Sequence, residues 1–257
     1  MQTLLNTPHE IIQQNILGAA AKAKTRILNI LVLGMMAGSF IAMGAQSSSL
    51  AVHNISNIGL ARTLAGCIFP VGLMMIVFVG GELFTGDCMM SMAWMQRKIH
   101  FADMLRTLVL VYVSNFVGAA LIAFLVAHSG QYDYSSGALG AYTIKVAYGK
   151  VHLSFANALV SGILCNILVC VAVLMAAAAK DIAGKVLAIF FPILAFVVSG
   201  FEHCVANMYY IPAGIFASKN AAYATKALEL YNIDSTQLSS LNWGSFAISN
   251  LIPVTIG

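Results

Sequence analysis

Apolar runs of roughly membrane-crossing length alternate along this chain with short polar segments. They cover about 27–45, 60–94, 105–127, 151–179, 185–210 and 243–257. About twenty apolar residues are needed to cross hydrocarbon as a helix. Two of the runs, the second and the fifth, are interrupted at corresponding places. The first interruption, Gly80-Gly81-Glu82-Leu83-Phe84-Thr85-Gly86-Asp87, sets paired glycines, carboxylates and a hydroxyl inside an otherwise apolar run. The second, Ser199-Gly200-Phe201-Glu202-His203-Cys204-Val205-Ala206-Asn207, again places a Gly and a Glu ahead of polar residues. A Phe-Pro pair stands upstream of each, Phe69-Pro70 and Phe191-Pro192. Matching breaks in apolar segments point to a transport site between inverted repeats, because irregular backbone at membrane depth is tolerated only where it is buried or lines a cavity.

The remaining elements follow from the same pattern. Thr7-Pro8-His9-Glu10 has the form of a capping box with Pro at the first helical position. The helix it starts carries Ile12, Ile16, Leu17 and Ala20 on one face and Gln13, Gln14 and Lys24 on the other, which suits a segment in the membrane interface or one packed beneath the membrane domain. In the first span, Gly34-Met-Met-Ala-Gly38 would admit another helix closely. Span 2 should break around 80–86 and resume from Asp87 to Trp94, and span 5 should break around 200–206 and resume to about Tyr210. The Ser/Gly/Tyr-rich stretch 129–148 is expected to be a loop. In span 4, Ser154, Asn157 and Ser161 share a face expected to point into the protein. The polar stretch 218–241 is expected to hold one short helix outside the bilayer. The final run, Trp243 to Gly257, is too short to cross as a straight helix.

Composition excludes a soluble domain: 60% of residues are hydrophobic, 9% are charged and the mean hydropathy is +0.87, where a soluble domain carries about a quarter charged residues. The net charge of +4 is spread through the loops, so it speaks for topology and not for nucleic-acid binding. With the N-terminus inside, Lys22, Lys24, Arg26, Arg97, Lys98, Arg106, Lys180 and Lys185 fall on the inner side, and Arg62, Lys145, Lys150, Lys219 and Lys226 on the outer. That bias favours a cytoplasmic N-terminus in a multi-pass protein of the cell membrane. The five cysteines, Cys67, Cys88, Cys165, Cys170 and Cys204, lie in or beside apolar runs and read as free thiols, neither a disulfide frame nor a metal cluster.

Three stretches carry a resemblance to a known family: 81–86, Gly200 to Met208, and the tail Asn250-Leu-Ile-Pro-Val-Thr-Ile-Gly257. Over nearly its whole length the chain resembles the formate/nitrite transporters, and within them the hydrosulfide channel branch. The resemblance implies an all-α membrane protein, an aquaporin-like bundle of six transmembrane helices in two inverted repeats with helices 2 and 5 broken. It also implies a homopentamer with a pore through each protomer. Residues 1–257 then form one transmembrane domain, with 1–24 the N-terminal interfacial helix, 25–127 the first repeat and 150–257 the second. Relatives continue past Gly257, so the last helix is expected to be incomplete. Carried over, Thr85 and His203 face each other across the pore. Phe69, Leu73, Leu83, Phe84 and Phe196 narrow it, Lys150 stands in a vestibule, and Asn166 lies nearby on helix 4.

The expected substrate is a small monovalent anion of a weak acid, hydrosulfide first, with formate and nitrite as alternatives. Moving such an ion into a dry slit costs on the order of tens of kcal/mol in an idealised Born treatment. Half-helix N-termini, a lysine at the mouth and a histidine able to hydrogen-bond or protonate the anion would offset that cost. His203 is the one histidine deep in an apolar span, where ionisable groups usually serve a pathway. Glu82 and Glu202 are placed symmetrically and, with Asn207, are expected to hold the breaks, accepting hydrogen bonds from freed backbone N–H groups. Thr85 as a plain cap, Lys150 as an interfacial anchor and Asn166 as interhelical glue are the bland alternatives. An enzyme is not expected, since no His-Glu-x-x-His or Gly-x-Ser-x-Gly occurs; nor is a cofactor. A neutral-solute channel and a proton-coupled symporter remain the competing transport readings.

Overall fold

The computed structural model describes residues 5–257 and is all-α; among these residues the one β-type pairing is an isolated bridge between Leu5 and Ala179. Five helical stretches are long and apolar enough to cross a membrane, and a sixth, Trp243–Ile256, is shorter. Helix α1 spans Pro8–Lys22 and has the expected capping box from Thr7 and Glu10. Its packed stripe is Ile16, Ala19 and Ala23, set against Met90, Ala93 and Met104. Ile12 and Leu17, of the same apolar face, are exposed, as the membrane-interface alternative requires.

The first half then runs through α2 (Ile27–Val52), α3 (Ile58–Ile68), α4 (Val71–Val79), α5 (Phe84–Asp87), α6 (Met90–Met95) and α7 (Phe101–Ala127). Helices α2 and α7 pack in close contact because Gly34 and Gly38 present no side chain. A Cβ on Gly38 would lie 2.1 Å from the Asn115 carbonyl oxygen, and one on Gly34 would collide with Ser114.

The stretch expected to be a loop is mostly helical: a 3-10 turn at Gln131–Asp133 is followed by α8, Ala138–Val151. Leu139, Ile144, Ala147 and Val151 recur at helical spacing and are all buried, a period that the surrounding Ser, Gly and Tyr residues conceal. Lys150 therefore projects from a packed helix end.

The second half comprises α9 (Phe155–Ala178), α10 (Ile182–Ser199) and α11 (Cys204–Ser218). Helix α12 (Ala221–Tyr231) and the short α13 (Ser235–Ser239) follow, two helices where one was expected. The last span is α14 (Trp243–Ser245), a π-helical stretch Phe246–Leu251, and α15 (Ile252–Ile256).

The polar face expected on span 4 does not turn inward. Asn157 is exposed, and Ser154 is the N-cap of α9, its hydroxyl accepting the Asn157 N–H. A cap at the mouth of a span needs no buried partner. The two Phe-Pro pairs are not equivalent either. Phe69 is 3% exposed and Phe191 60%, because positions correspond by their distance from the glutamates. Phe69, Leu73 and Ile76 precede Glu82 as Ile189, Ile193 and Phe196 precede Glu202, and all six are buried.

Candidate functional site

The interruptions are shorter than expected, Gly80–Leu83 in the first half and Gly200–His203 in the second. Each opens on a glycine with positive φ, 104° at Gly80 and 74° at Gly200, a backbone that side chains with a Cβ rarely adopt. Each closes where a new helix starts, α5 just before Thr85 and α11 just after His203. The Thr85 hydroxyl lies 3.3 Å from His203 Nε2. The first turns of the two half-helices therefore meet, and the positive ends of both dipoles converge there.

His203 is the N-cap of α11. Its Nδ1 accepts the Ala206 N–H at 3.2 Å. An accepting Nδ1 carries no proton, so the neutral ring bears its hydrogen on Nε2, the atom facing Thr85. The ring is 3% exposed and its centroid lies 6.0 Å from that of Phe196. This imidazole offers a hydrogen bond through Nε2; taking a second proton at Nδ1 would break the cap.

Two open cavities approach this pair from opposite ends. One, of about 400 Å³, is lined by Arg62, Phe69, Lys150, Phe196, Glu202 and His203, among others. The other, of about 540 Å³, is lined by Lys22, Leu73, Glu82, Leu83 and Asp87. Phe69 and Phe196 thus face the Lys150 end, with ring centroids 5.4 Å apart and nearly perpendicular. Leu73 and Leu83 face the Lys22 end. Phe84 lies to the side, edge-on to Tyr112 at 4.9 Å. It borders a third, smaller cavity of about 110 Å³ shared with Thr85, Asn166 and His203. Asn166 enters there without a hydrogen bond to either of the central pair; its Oδ1 accepts from the Cys170 thiol at 3.8 Å.

The glutamates hold the breaks by a different route from the one expected. Among the described residues neither carboxylate takes a freed backbone N–H. Glu202 receives Lys150 Nζ at 2.9 and 3.0 Å and Asn207 Nδ2 at 2.7 Å. Glu82 pairs with Lys22, which also reaches Asp87. The backbone of the first break is held by an amide, and at the second an amide ties together the side chains and the α8 end beside the break. Asn115 on α7 accepts the Phe84 N–H at 3.0 Å and donates to the carbonyls of Gly34 and Glu82, both at 2.8 Å. Asn250, in the last span, accepts from Asn207 at 2.7 Å and donates to the Lys150 carbonyl at 2.9 Å. Both asparagines are fully buried.

From the sequence, Lys22 figured only in the charge bias, Asp87 only as the end of the first interruption and Asn250 only as part of a tail, while Asn115 was not noted. A signal for the two asparagines was present, Val113-Ser-Asn115-Phe and Ile248-Ser-Asn250-Leu, a short echo on the third helix of each half.

Two broken helices meeting between opposed cavities define a membrane channel or transporter built from inverted repeats. Residues 9–257 match the model of the formate/nitrite transporter family, and the chain belongs to that family. It is 36% identical over 242 residues to the formate channel FocA of Haemophilus influenzae, covering 93% of this chain and 84% of that protein. It is 36% identical over 257 residues to a probable formate transporter of Methanothermobacter thermautotrophicus, covering 93% and 86%. Among solved structures it is similar to a pentameric formate channel with formate bound, with a TM-score of 0.78 and 30% identity over 90% of each chain. The fold is accordingly the aquaporin-like bundle of six helices with the second and fifth broken.

Proposed function

We propose that this protein is a channel for small monovalent anions of weak acids, formate and hydrosulfide foremost and nitrite besides, assembled as a homopentamer in the cell membrane with its N-terminus in the cytoplasm. The observation that carries this reading is the Thr85–His203 pair at 3.3 Å, set where two half-helices meet between opposed cavities. Formate and the pentamer are supported by the names of the relatives, whereas hydrosulfide rests on the resemblance read from the sequence alone.

In this reading Phe69, Leu73, Leu83 and Phe196 exclude bulk water. The anion exchanges its hydration for the Nε2–H of His203, the Thr85 hydroxyl and the half-helix dipoles. Because His203 Nδ1 is engaged by the Ala206 N–H, the ring serves as a fixed hydrogen-bond donor. That favours a channel over a symporter whose imidazole would carry the proton. Lys150 and Glu202 enter the mouth as a neutral pair, and Lys150 also lies 5.2 Å from the centre of the Tyr210 ring.

Liposome flux decides it. His203→Ala and Thr85→Val should each slow formate and hydrosulfide uptake by about tenfold, the equivalent of one lost hydrogen bond to a charged group. Wild-type rates with wild-type pH dependence in both variants would refute the assignment.

A further inference from the structure

The small cavity beside Thr85 and His203 has an uncommon wall. Three of the five cysteines, Cys88, Cys165 and Cys204, line it together with Asn166, although they come from the α5–α6 turn, α9 and the start of α11. A fourth thiol, Cys170, stands behind, donating to the Thr85 carbonyl at 3.5 Å. The cavity shares Glu202 and His203 with the Lys150-end cavity, and it includes Thr85 and Phe84, which directly follow Leu83 of the Lys22-end cavity. Thr85 and His203 both border it, so it adjoins the centre of the proposed path, beside the line between the two larger cavities, and Val254 to Gly257 complete its wall.

Sulfur is polarisable, and a thiol is a weak hydrogen-bond donor. An oxyanion concentrates its charge on small oxygens that need short, strong N–H or O–H donors when water is removed. An anion whose charge is spread over one large, soft atom loses less on entering and gains dispersion contact with the thiols.

We propose that Cys88, Cys165 and Cys204 make this cavity a selectivity chamber that weights permeation toward soft, polarisable anions such as hydrosulfide over oxyanions such as formate. This rests on the anion-channel reading above and adds to it three specificity-determining residues.

The test is the ratio of hydrosulfide to formate flux in liposomes holding the full-length protein, with both fluxes measured at one pH. Replacing the three thiols by near-isosteric hydroxyls in Cys88→Ser/Cys165→Ser/Cys204→Ser should raise formate flux and lower the hydrosulfide-to-formate ratio by about threefold or more. The alanine triple variant should lower the ratio less, since it removes sulfur without adding a strong donor. Should the serine triple variant fail to assemble, Cys88→Ser alone, at the half-buried position, carries the same readout with a smaller shift in the same direction. An unchanged ratio in variants that still pass both anions would overturn the chamber and leave the channel standing. A wild-type protein passing neither anion would overturn both.

Discussion

The two breaks are the same device with different charge balance. At the Lys150 end one lysine meets one carboxylate, Glu202, whose other bonds come from the amides of Asn207 and Asn250. At the Lys22 end one lysine meets two carboxylates, Glu82 and Asp87, and Asp87 stands where the other half has Asn207. Asp87 is 2% exposed, and its Oδ2 has no hydrogen-bond partner. The lysines also arrive differently, Lys150 from the C-terminal end of α8 and Lys22 from that of α1. Pseudo-symmetry thus preserves the geometry of the break, whereas each mouth sets its own charge.

That comparison can be broken most decisively at the glutamates. Glu202→Gln leaves Lys150, whose side chain is 16% exposed, without a counter-charge and should destabilise the protein by about 2 kcal/mol or more, whereas Glu82→Gln leaves Lys22 with Asp87 and should cost about 1 kcal/mol. Thermal unfolding in detergent measures both, and equal losses would mean that the mouths are balanced alike.

The amides differ in what they hold. Asn115→Ala orphans one backbone N–H and two carbonyls and should lose about 2–4 kcal/mol, whereas Asn250→Ala frees one carbonyl and the Asn207 and Glu202 side chains and should lose about 1–3 kcal/mol. A near-neutral result for Asn115→Ala would show that the first break is held by something other than that amide.

The glycines sharpen the comparison further. Gly80, at φ 104° and ψ 141°, and Gly200, at φ 74° and ψ 28°, differ in how far they lie from conformations that alanine tolerates. Nothing lies within 4 Å of a Cβ built on Gly80, and Arg62 comes no closer than 3.5 Å to one on Gly200, so each cost is one of backbone. Gly80→Ala should lose about 2–3 kcal/mol and Gly200→Ala about 1 kcal/mol. The reverse order in denaturation would assign the strain to the wrong break.

The smallest effect is expected from Asp87→Asn, which gives the Lys22 mouth the charge balance of the other. With one negative charge fewer, anion entry from that side should rise about twofold at low ionic strength, and the gain should fade as salt is added. A salt-independent rate identical to wild type would separate Asp87 from the path.

Much of this was legible in the chain because the signals are local. Hydropathy over about twenty residues marks a span, a Gly-Gly or a Gly-x-Glu inside one marks a break, and Thr7-Pro8-x-Glu10 marks a helix start, each readable without a partner. Even the helical period of α8 was present, hidden by its composition. The sequence by itself thus determined that the chain spans a membrane, where helices 2 and 5 give way, and which hydroxyl and imidazole stand at those points. The tertiary structure alone decided that Lys150 belongs to Glu202 and Lys22 to Glu82 and Asp87, that Asn115 ties down the first break and Asn250 joins Asn207 to the end of α8, and that three thiols from separate elements share one cavity. Hydrophobicity and backbone preference act over a few residues, whereas an ion pair, an amide bridge or a cavity wall exists only once folding brings distant residues within a few ångströms.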